Sequence, residues 1–305
     1  MKNGAHVHIL HNPTAGEQDN TKTELIELMR PLGIACDYAS VKEKGWHRFK
    51  SRRDLLVIVG GDGTIRAVAE KILKRKLLDR RLPLLLLPSG TANNFAITLG
   101  ISHDPKDLPD RIRQSDIRTI DVGTINGVSK TSFFLEGMGF GLFPKLMEAM
   151  KRADLSIDTR NEELQTAIDK LIEITEDYKA ASAKVIIDGT PYTGKFLLIN
   201  VLNTQSIGPN LCLAPHADPG DGILHVAMLR EENREHFLAY LKNRQTKKPN
   251  NRPINNLPWE LVELHAELLI KSKSDLLHVD DELLAIKKKK LVRVNIRKGV
   301  LDIVL

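Results

Sequence analysis

The chain has 305 residues, of which 42% are hydrophobic and 28% are charged. This balance is typical of folded globular proteins and excludes a largely disordered chain, and the length allows two domains. No apolar stretch is long enough for a transmembrane helix, and the first residues lack the apolar core of a signal peptide. With only Cys36 and Cys212, a disulfide framework is excluded and a reducing compartment is indicated, so we expect a cytoplasmic protein.

The net charge of +6 favours an anionic partner. Basic residues collect at 74–81, 242–252 and 287–290, and each cluster alone is typical of a solvated surface. Near an anionic membrane each such residue could contribute about 1 kcal/mol, which is enough for transient peripheral contact. Aromatic residues make up 5% of the chain and do not interleave with these clusters, which argues against nucleic acid as a partner.

The first third of the chain alternates strands with helices. Strands are predicted at 6–10, 54–59 and 83–87, and helices at 21–31 and 64–76. This alternation predicts a doubly wound α/β sheet, which we place in a nucleotide-binding domain over residues 1–120. Histidines at 6, 8 and 11 flank or occupy the first strand, where the alternation of residues favours an ordinary edge or core role over a metal site.

After residue 121 the pattern changes to strands separated by glycine and proline turns. The predicted strands are 121–125, 184–188, 194–202, 223–229, 266–272 and 276–279. This spacing predicts an antiparallel β-sandwich domain over residues 121–305. A helix over 160–178 interrupts it, with an apolar stripe that we expect to pack in the core, and the polar stretch 242–258 is predicted to be an exposed loop.

Two glycine-bearing loops follow predicted strands. Residues 60–64 (GGDGT) come directly after the second strand, and residues 88–94 (PSGTANN) come after the third. Bare backbone amides next to a helix N-terminus suit a phosphate, and Asp62 could face a metal held by that phosphate. A single loop of this kind is often only a tight turn, but two of them predict a nucleotide site.

Three segments in the first domain resemble the nucleotide loops of the soluble diacylglycerol kinase and sphingosine kinase type lipid kinases, which include the bacterial YegS-like proteins. They are residues 12–16 (NPTAG), 60–64 and 88–96 (PSGTANNFA). The resemblance implies ATP as the phosphoryl donor and Mg²⁺ as a cofactor. The implied ATP-binding residues are Asn12, Pro13, Thr14, Gly16, Gly60, Gly61, Asp62, Gly63, Thr64, Gly90, Thr91 and Asn94.

The resemblance continues through the second half. Residues 121–127 (DVGTING) and 137–141 (GMGFG) are similar to the start of the family's β domain, and the resemblance implies that the end of the chain returns to the first domain. Residues 218–226 (DPGDGILHV) resemble a structural magnesium loop, with the Asp221 carboxylate and the backbone oxygens of Asp218 and Ile223 as ligands. Residues 278–282 (HVDDE) resemble the family's Asp-Gly-Glu signature, which makes Asp280 and Glu282 the candidate bases.

We therefore predict a kinase that transfers the γ-phosphate of ATP to a lipid alcohol such as diacylglycerol, with Asp62, Asp280 and Glu282 as its catalytic residues. A sphingoid base or another lipid alcohol remains an open acceptor, and the resemblance allows a homodimer. The sequence departs from the family pattern at Asn94 in place of Asp, at Asp281 in place of Gly, and at 66–67 (RA) in place of Asn-Glu. Two alternatives are a soluble kinase of the NAD kinase kind and a non-catalytic nucleotide- or lipid-binding relative.

Overall fold

A computed structural model describes residues 6–16, 20–47, 54–75, 82–129, 131–152, 159–245 and 257–305. The chain divides into two compact units, the first comprising residues 1–121 with 298–305 and the second residues 122–297. Within the described ranges, no helix combines the length and the apolar character needed to span a membrane. Most of the basic residues at 74–81 and 242–252 lie outside the described residues.

The helices and strands are as follows. The helices are α1 (Lys22–Met29), α2 (Asp62–Leu73), α3 (Asn94–Thr98), α4 (Leu108–Gln114), α5 (Leu142–Arg152), α6 (Arg160–Asp177) and α7 (Arg234–Gln245). The strands are β1 (His6–His11), β2 (Ala35–Ser40), β3 (Asp54–Gly60), β4 (Leu84–Pro88), β5 (Ile117–Asn126), β6 (Phe133–Phe134), β7 (Gly137–Gly141), β8 (Ala181–Ile187), β9 (Thr190–Leu202), β10 (Ser206–Ile207), β11 (Leu211–Cys212), β12 (Leu224–Arg230), β13 (Glu260–Leu264), β14 (Glu267–Ser272), β15 (Leu276–Val279), β16 (Glu282–Ala285) and β17 (Leu291–Val304).

The first unit is a parallel sheet in the order β2-β1-β3-β4, followed by the end of β17. Strand β1 lies between β2 and β3, so the chain winds outward from β1 in both directions. This is the predicted doubly wound arrangement. In the last pairing, Ile303 lies opposite Leu84 in a parallel register.

Helices cover both faces of this sheet because its strands are apolar on both sides. On one face, α1 and α4 pack against β1 and β3 through a cluster that includes Val7, Val57, Leu25 and Ile112. On the other side, α2 packs against β3 and buries residues at helical spacing, Ile65, Val68, Ala69 and Ile72.

The second unit is antiparallel. Its strands run in the order β16-β15-β7-β9-β8-β14-β17, and β12 pairs with both β9 and β13. Alternate residues of these strands form an apolar core that includes Val185, Val201, Val226, Leu268 and Val294. The predicted antiparallel β-sandwich is confirmed.

Helix α6 packs against both α5 and α7, and residues of all three helices belong to a second apolar cluster in this unit. The stripe predicted on the helix over 160–178 is buried at Ile168, Leu171, Ile172 and Thr175, as expected for packing in the core.

The prediction of an exposed loop over 242–258 was wrong at its start, which is helical, and at Pro258, which is buried. Residues 242–245 form the last turn of α7, because Phe237 and Leu241 anchor that helix in the core. Near the other end, Trp259 is buried, and its indole N–H donates to the Leu213 carbonyl at 2.9 Å. The intervening residues 246–256 lie outside the described residues.

Candidate active site

The three predicted nucleotide loops follow β1, β3 and β4, which are adjacent parallel strands, so all three loops lie at the same edge of the sheet. Backbone hydrogen bonds connect them in sequence. The Asn12 N–H donates to the Val59 carbonyl at 2.8 Å, and the Ser89 N–H donates to the Gly60 carbonyl at 3.1 Å. The fold thereby places the loops where ligands of open α/β sheets bind.

Gly61 and Gly90 allow the second and third loops to touch through their backbones. A Cβ added to Gly61 would lie 2.8 Å from the Gly90 Cα, a distance that real structures do not show. A Cβ on Gly60 would lie 2.6 Å from the Thr64 hydroxyl oxygen. Close packing within the second loop therefore requires Gly60, and close packing between the second and third loops requires Gly61 and Gly90, even before any ligand is considered.

Side chains connect the first two loops. The Asn12 amide donates to the Thr64 hydroxyl at 3.0 Å, and the Thr14 hydroxyl donates to the Asn12 amide oxygen at 3.0 Å. Pro13 and Gly16 are exposed, and Gly16 has a left-handed φ of 58°. Residues from the first and second loops are thus held together by side-chain hydrogen bonds.

Asp62 connects the second loop to the third. Its two carboxylate oxygens accept the backbone N–H groups of Asn94 at 2.9 Å and of Phe95 at 3.2 Å, at the start of α3. The third loop is fixed further by Asn93, which has a φ of 52° and exchanges two hydrogen bonds with the Gly90 backbone. The Asp62 carboxylate and the Asn93 side chain therefore together hold the third loop in place.

The start of α2 carries Gly61 at the N-cap, and no side chain caps this helix end. Such an end presents backbone N–H groups and the positive end of the helix dipole, a combination that suits an anion. Gly63 in the first turn of α2 and Thr91 in the third loop are both partly exposed. The cluster formed by the three loops can therefore bind a phosphate through backbone groups and short polar side chains.

In the second unit, the acidic motif forms the two-residue turn between β15 and β16. Asp280 has a φ of 50°, and its carboxylate accepts the backbone N–H groups of Leu135, Glu136 and Gly137 at 2.9 to 3.2 Å. Glu282 is the first residue of β16 and is half-buried. The two candidate bases therefore differ in their surroundings. The Asp280 carboxylate binds the backbone of residues 135–137, whereas Glu282 lies on strand β16.

A buried polar group lies next to this turn. The His278 side chain is 1% exposed, and its Nε2 lies 3.1 Å from the Asn200 amide oxygen. Burial lowers the pKa of His278 to about 4, against a smaller raising effect of the Asp280 carbonyl. His278 is therefore neutral near pH 7. Gly139 faces Asn200, and any side chain at Gly139 would overlap the Asn200 amide.

The residues over 218–223 form a tight turn. The Asp218 carboxylate accepts the Gly220 N–H at 2.9 Å, the Asp221 carboxylate accepts the Ile223 N–H at 2.8 Å, and the Asp221 N–H donates to the Asp218 carbonyl at 3.3 Å. Asp218, Asp221 and Ile223 belong to this one turn, and oxygen donors suit a hard cation. The residues present fit the predicted magnesium site.

The departures from the family pattern fall in different environments. Asn94 and Arg66 are buried, whereas Asp281 is exposed. The contact of Asn94 with Asp62 uses its backbone N–H, so it does not depend on whether residue 94 is Asn or Asp. Asp281 does not have a left-handed φ, so its backbone accommodates Asp where relatives carry Gly.

Sequence reasoning missed Asn93 and Asn200. A signal for Asn200 exists, because it is a lone polar residue within the buried strand segment 196–202, and such a residue usually has a specific partner. Asn93 carries a signal too, since Asn tolerates the left-handed conformation at a helix start better than most residues.

A doubly wound α/β unit with glycine loops, combined with an antiparallel β-sandwich, defines a fold shared by diacylglycerol kinases and NAD kinases. Residues 6–125 match the diacylglycerol kinase catalytic domain, and residues 148–282 match the YegS C-terminal NAD kinase beta sandwich-like domain. The chain belongs to the YegS-like lipid kinase family.

Individual proteins are similar to this chain in sequence or in fold. The chain is 27% identical to a diacylglycerol kinase of Bacillus subtilis over 239 residues, which cover 75% of each protein. The crystal structure of a diacylglycerol kinase from Bacillus anthracis superposes with a TM-score of 0.69 at 19% identity, covering 100% of this chain and 97% of that one. An NAD kinase from Archaeoglobus fulgidus in complex with ATP superposes with a TM-score of 0.54 at 12% identity, covering 99% of this chain and 93% of the other.

Proposed function

We propose that the protein transfers the γ-phosphate of ATP to the hydroxyl group of a lipid alcohol. The observation that carries this proposal is the cluster of three loops tied together by Asn12, Asp62, Gly61 and Gly90, beside the uncapped start of α2. Phosphoryl transfer needs positioning and charge neutralisation more than covalent chemistry, and a rigid backbone cluster is suited to that task.

ATP is the proposed donor. Its phosphates bind backbone N–H groups of the glycine loops, and the side chains of Asn12, Thr64 and Thr91 supply further hydrogen bonds. Two observations support this choice, namely the match of residues 6–125 to the diacylglycerol kinase catalytic domain and the fold shared with an NAD kinase in complex with ATP.

Mg²⁺ is the proposed cofactor. When bound, it would supply positive charge that offsets the negative charge developing on the phosphates during transfer. The Asp62 carboxylate lies between the second and third loops, where it accepts the backbone N–H groups of Asn94 and Phe95, and a carboxylate at this position suits a water bound to the ion. A second, structural ion would be held by the Asp221 carboxylate with the backbone oxygens of Asp218 and Ile223.

Glu282 is the proposed base. Its role is to accept the proton of the acceptor hydroxyl as the oxygen attacks the γ-phosphate. Asp280 is assigned a positioning role, because three backbone donors already bind its carboxylate. Between the two candidates from the sequence, we therefore prefer Glu282.

The proposed acceptor is a lipid alcohol with diacylglycerol as the first candidate, since the Bacillus subtilis relative is named a diacylglycerol kinase. Lys287, Lys288, Lys289 and Lys290 are all exposed in the second unit. We propose that they contribute to transient binding of the anionic membrane that presents the acceptor.

The test is ATP turnover with Mg²⁺ against diacylglycerol, sphingosine and NAD, with the lipids in mixed micelles. We expect transfer to a lipid, and we expect Glu282→Gln to lower kcat by about 10²–10⁴-fold while ATP binding is retained. Thr190→Val is the matched control, because Thr190 follows the two-residue turn between β8 and β9 as Glu282 follows the turn before β16.

Three outcomes would contradict parts of the proposal. Transfer to NAD alone would identify a kinase of the NAD kinase kind. ATP binding without transfer to any acceptor would identify a non-catalytic relative. Full activity of Glu282→Gln would remove Glu282 from the chemistry.

A further inference from the structure

Two histidines and an aspartate meet at the start of the parallel sheet. His6 and His8 are two residues apart on β1, so their side chains lie on the same face of the sheet. The parallel register of β1 and β2 places Asp37 directly opposite His8. Strand β2 ends the sheet order, so Asp37 stands on an edge strand.

The three side chains are close enough to bind one metal ion together. The His6 Nε2 lies 3.5 Å and the His8 Nδ1 lies 3.7 Å from the same Asp37 carboxylate oxygen. One ligand atom from each of the three residues can be chosen so that all lie within 4.8 Å of one another. The side chains of His6, His8 and Asp37 are 27%, 15% and 68% exposed, so an ion can reach them from solvent.

We propose that His6, His8 and Asp37 bind one divalent transition metal ion of the Zn²⁺ type. Imidazole nitrogen is a preferred ligand of Zn²⁺, Cu²⁺ and Ni²⁺, whereas Mg²⁺ prefers oxygen. Bonds of about 2.0–2.2 Å in a tetrahedral site place ligand atoms roughly 3.3 Å apart, so small side-chain rotations bring these three into range. Water completes the coordination.

The site is separate from the proposed nucleotide site. It lies at the amino-terminal end of β1, and the glycine loops follow the carboxyl-terminal ends of β1, β3 and β4. Asn12 is the fourth residue after His8, and four steps of an extended strand span roughly 13 Å. The metal connects edge strand β2 to β1, so its expected effect is on stability and not on catalysis. The test of this metal site is therefore independent of the proposed kinase activity.

The experiment titrates the untagged, metal-free full chain with Zn²⁺ by calorimetry at pH 7.5, with Mg²⁺ as the comparison ion. We expect one Zn²⁺ to bind through these residues, with no comparable Mg²⁺ binding. His6→Gln, His8→Gln and Asp37→Asn should each weaken Zn²⁺ binding at least ~10-fold, because even loss of a partner outside the coordination sphere costs 10–100-fold. Zn²⁺ should also raise the Tm of the wild type more than that of the variants.

His265→Gln is the matched control, since His265 is an exposed histidine that lies 3.2 Å from the Glu263 carboxylate in the second unit. It should bind Zn²⁺ as the wild type does. Unchanged affinity in the His6, His8 and Asp37 variants, or no Zn²⁺ binding by the wild type, would overturn the proposal and leave a hydrogen-bonded cluster. Far-UV circular dichroism of each variant confirms that a loss of binding does not come from unfolding.

Discussion

Two hairpin turns of the second unit share one architecture and differ in chemistry. Asp188 and Gly189 connect β8 to β9, and Asp280 and Asp281 connect β15 to β16. Both first residues are left-handed, with φ of 47° at Asp188 and 50° at Asp280. The Asp188 carboxylate accepts three backbone N–H groups of the turn before β14, just as the Asp280 carboxylate accepts three at the start of β7.

Asp188 lies outside the acidic motif of residues 278–282, so it shows the structural role that a carboxylate has at this position of a hairpin. Burial alone would raise the pKa of Asp188, but the hydrogen bonds from the backbone of residues 265–267 outweigh it and lower that pKa. Asp188 therefore stays ionised and holds a neighbouring turn. The two hairpins differ at the third residue, which is Thr190 in one and Glu282 in the other, and this difference supports Glu282 as the residue that carries chemistry.

The largest stability effect should come from removing these carboxylates. We expect Asp280→Ala to destabilise the second unit by about 4 kcal/mol, because it removes charge-assisted hydrogen bonds and places Ala in the left-handed region. Asp188→Ala should cause a smaller loss, since Asp188 is exposed. The measurement is urea denaturation at pH 7 monitored by circular dichroism.

Asp280→Asn separates architecture from catalysis. It keeps an acceptor oxygen and tolerates a left-handed φ, so it should lose less stability than Asp280→Ala and retain most of the kinase activity under conditions where it is folded. If Asp280→Asn were as stable as the wild type and as inactive as Glu282→Gln, Asp280 would be a catalytic residue and the two hairpins would not be equivalent. Asp281→Ala serves as the exposed control, with a change within about 0.5 kcal/mol.

The sequence predicted the fold class because its signals are local. Apolar strands such as β3 and β4 alternate with amphipathic helices in the first unit, and turn residues separate the strands of the second. Strand β2 was missed because its sequence, ACDYAS, lacks an apolar run. Helix α7 was not predicted, and the basic residues of its last turn were interpreted as a loop, although Phe237 and Leu241 anchor that helix in the core.

The candidate site was predictable in part. Resemblance selected the three loops and the acidic motif, and the structure brings Asn12, Thr64, Asp62 and Asn94 together. The contact between Gly61 and Gly90 could not be read from the sequence, because it joins residues from two strand ends in three dimensions. The partners of the Asp280 carboxylate are more than 140 residues away in the chain, and no local pattern indicates them.

The two hairpins should also differ in how stability responds to acid. His278 lies two residues before Asp280, whereas the equivalent residue before Asp188 is Ile186. The pKa of His278 falls from 6.5 to about 4 in the folded chain, so the unfolded chain takes up the proton first as pH falls. The contribution of neutral, buried His278 to the free energy of unfolding is fully present above pH 6.5 and is lost as the pH falls from 6.5 to 4. Lowering the pH from 7 to 5 should therefore cost about 2 kcal/mol through this residue.

The measurement compares urea unfolding of the wild type and His278→Gln at pH 7 and pH 5. Gln can still donate to the Asn200 amide oxygen but does not titrate, so the variant should lose about 2 kcal/mol less than the wild type over this interval. His265→Gln, which removes an exposed histidine, should follow the wild type. Equal losses in the wild type and His278→Gln would show that His278 does not titrate between folded and unfolded states as its burial implies.

The smallest effect distinguishes the second residues of the two turns. Gly189 has a φ of 89° and no heavy atom within 4 Å of an added Cβ, so Gly189→Ala should cost about 1 kcal/mol through backbone strain alone. Asp281 does not have a left-handed φ, so Asp281→Gly should change stability only through chain entropy, by less than 1 kcal/mol. Urea midpoints of the two variants test this directly. If Asp281→Gly instead stabilised the protein by 1 kcal/mol or more, the backbone at Asp281 would be strained, and Asp would stand at a position that prefers the Gly of the family motif.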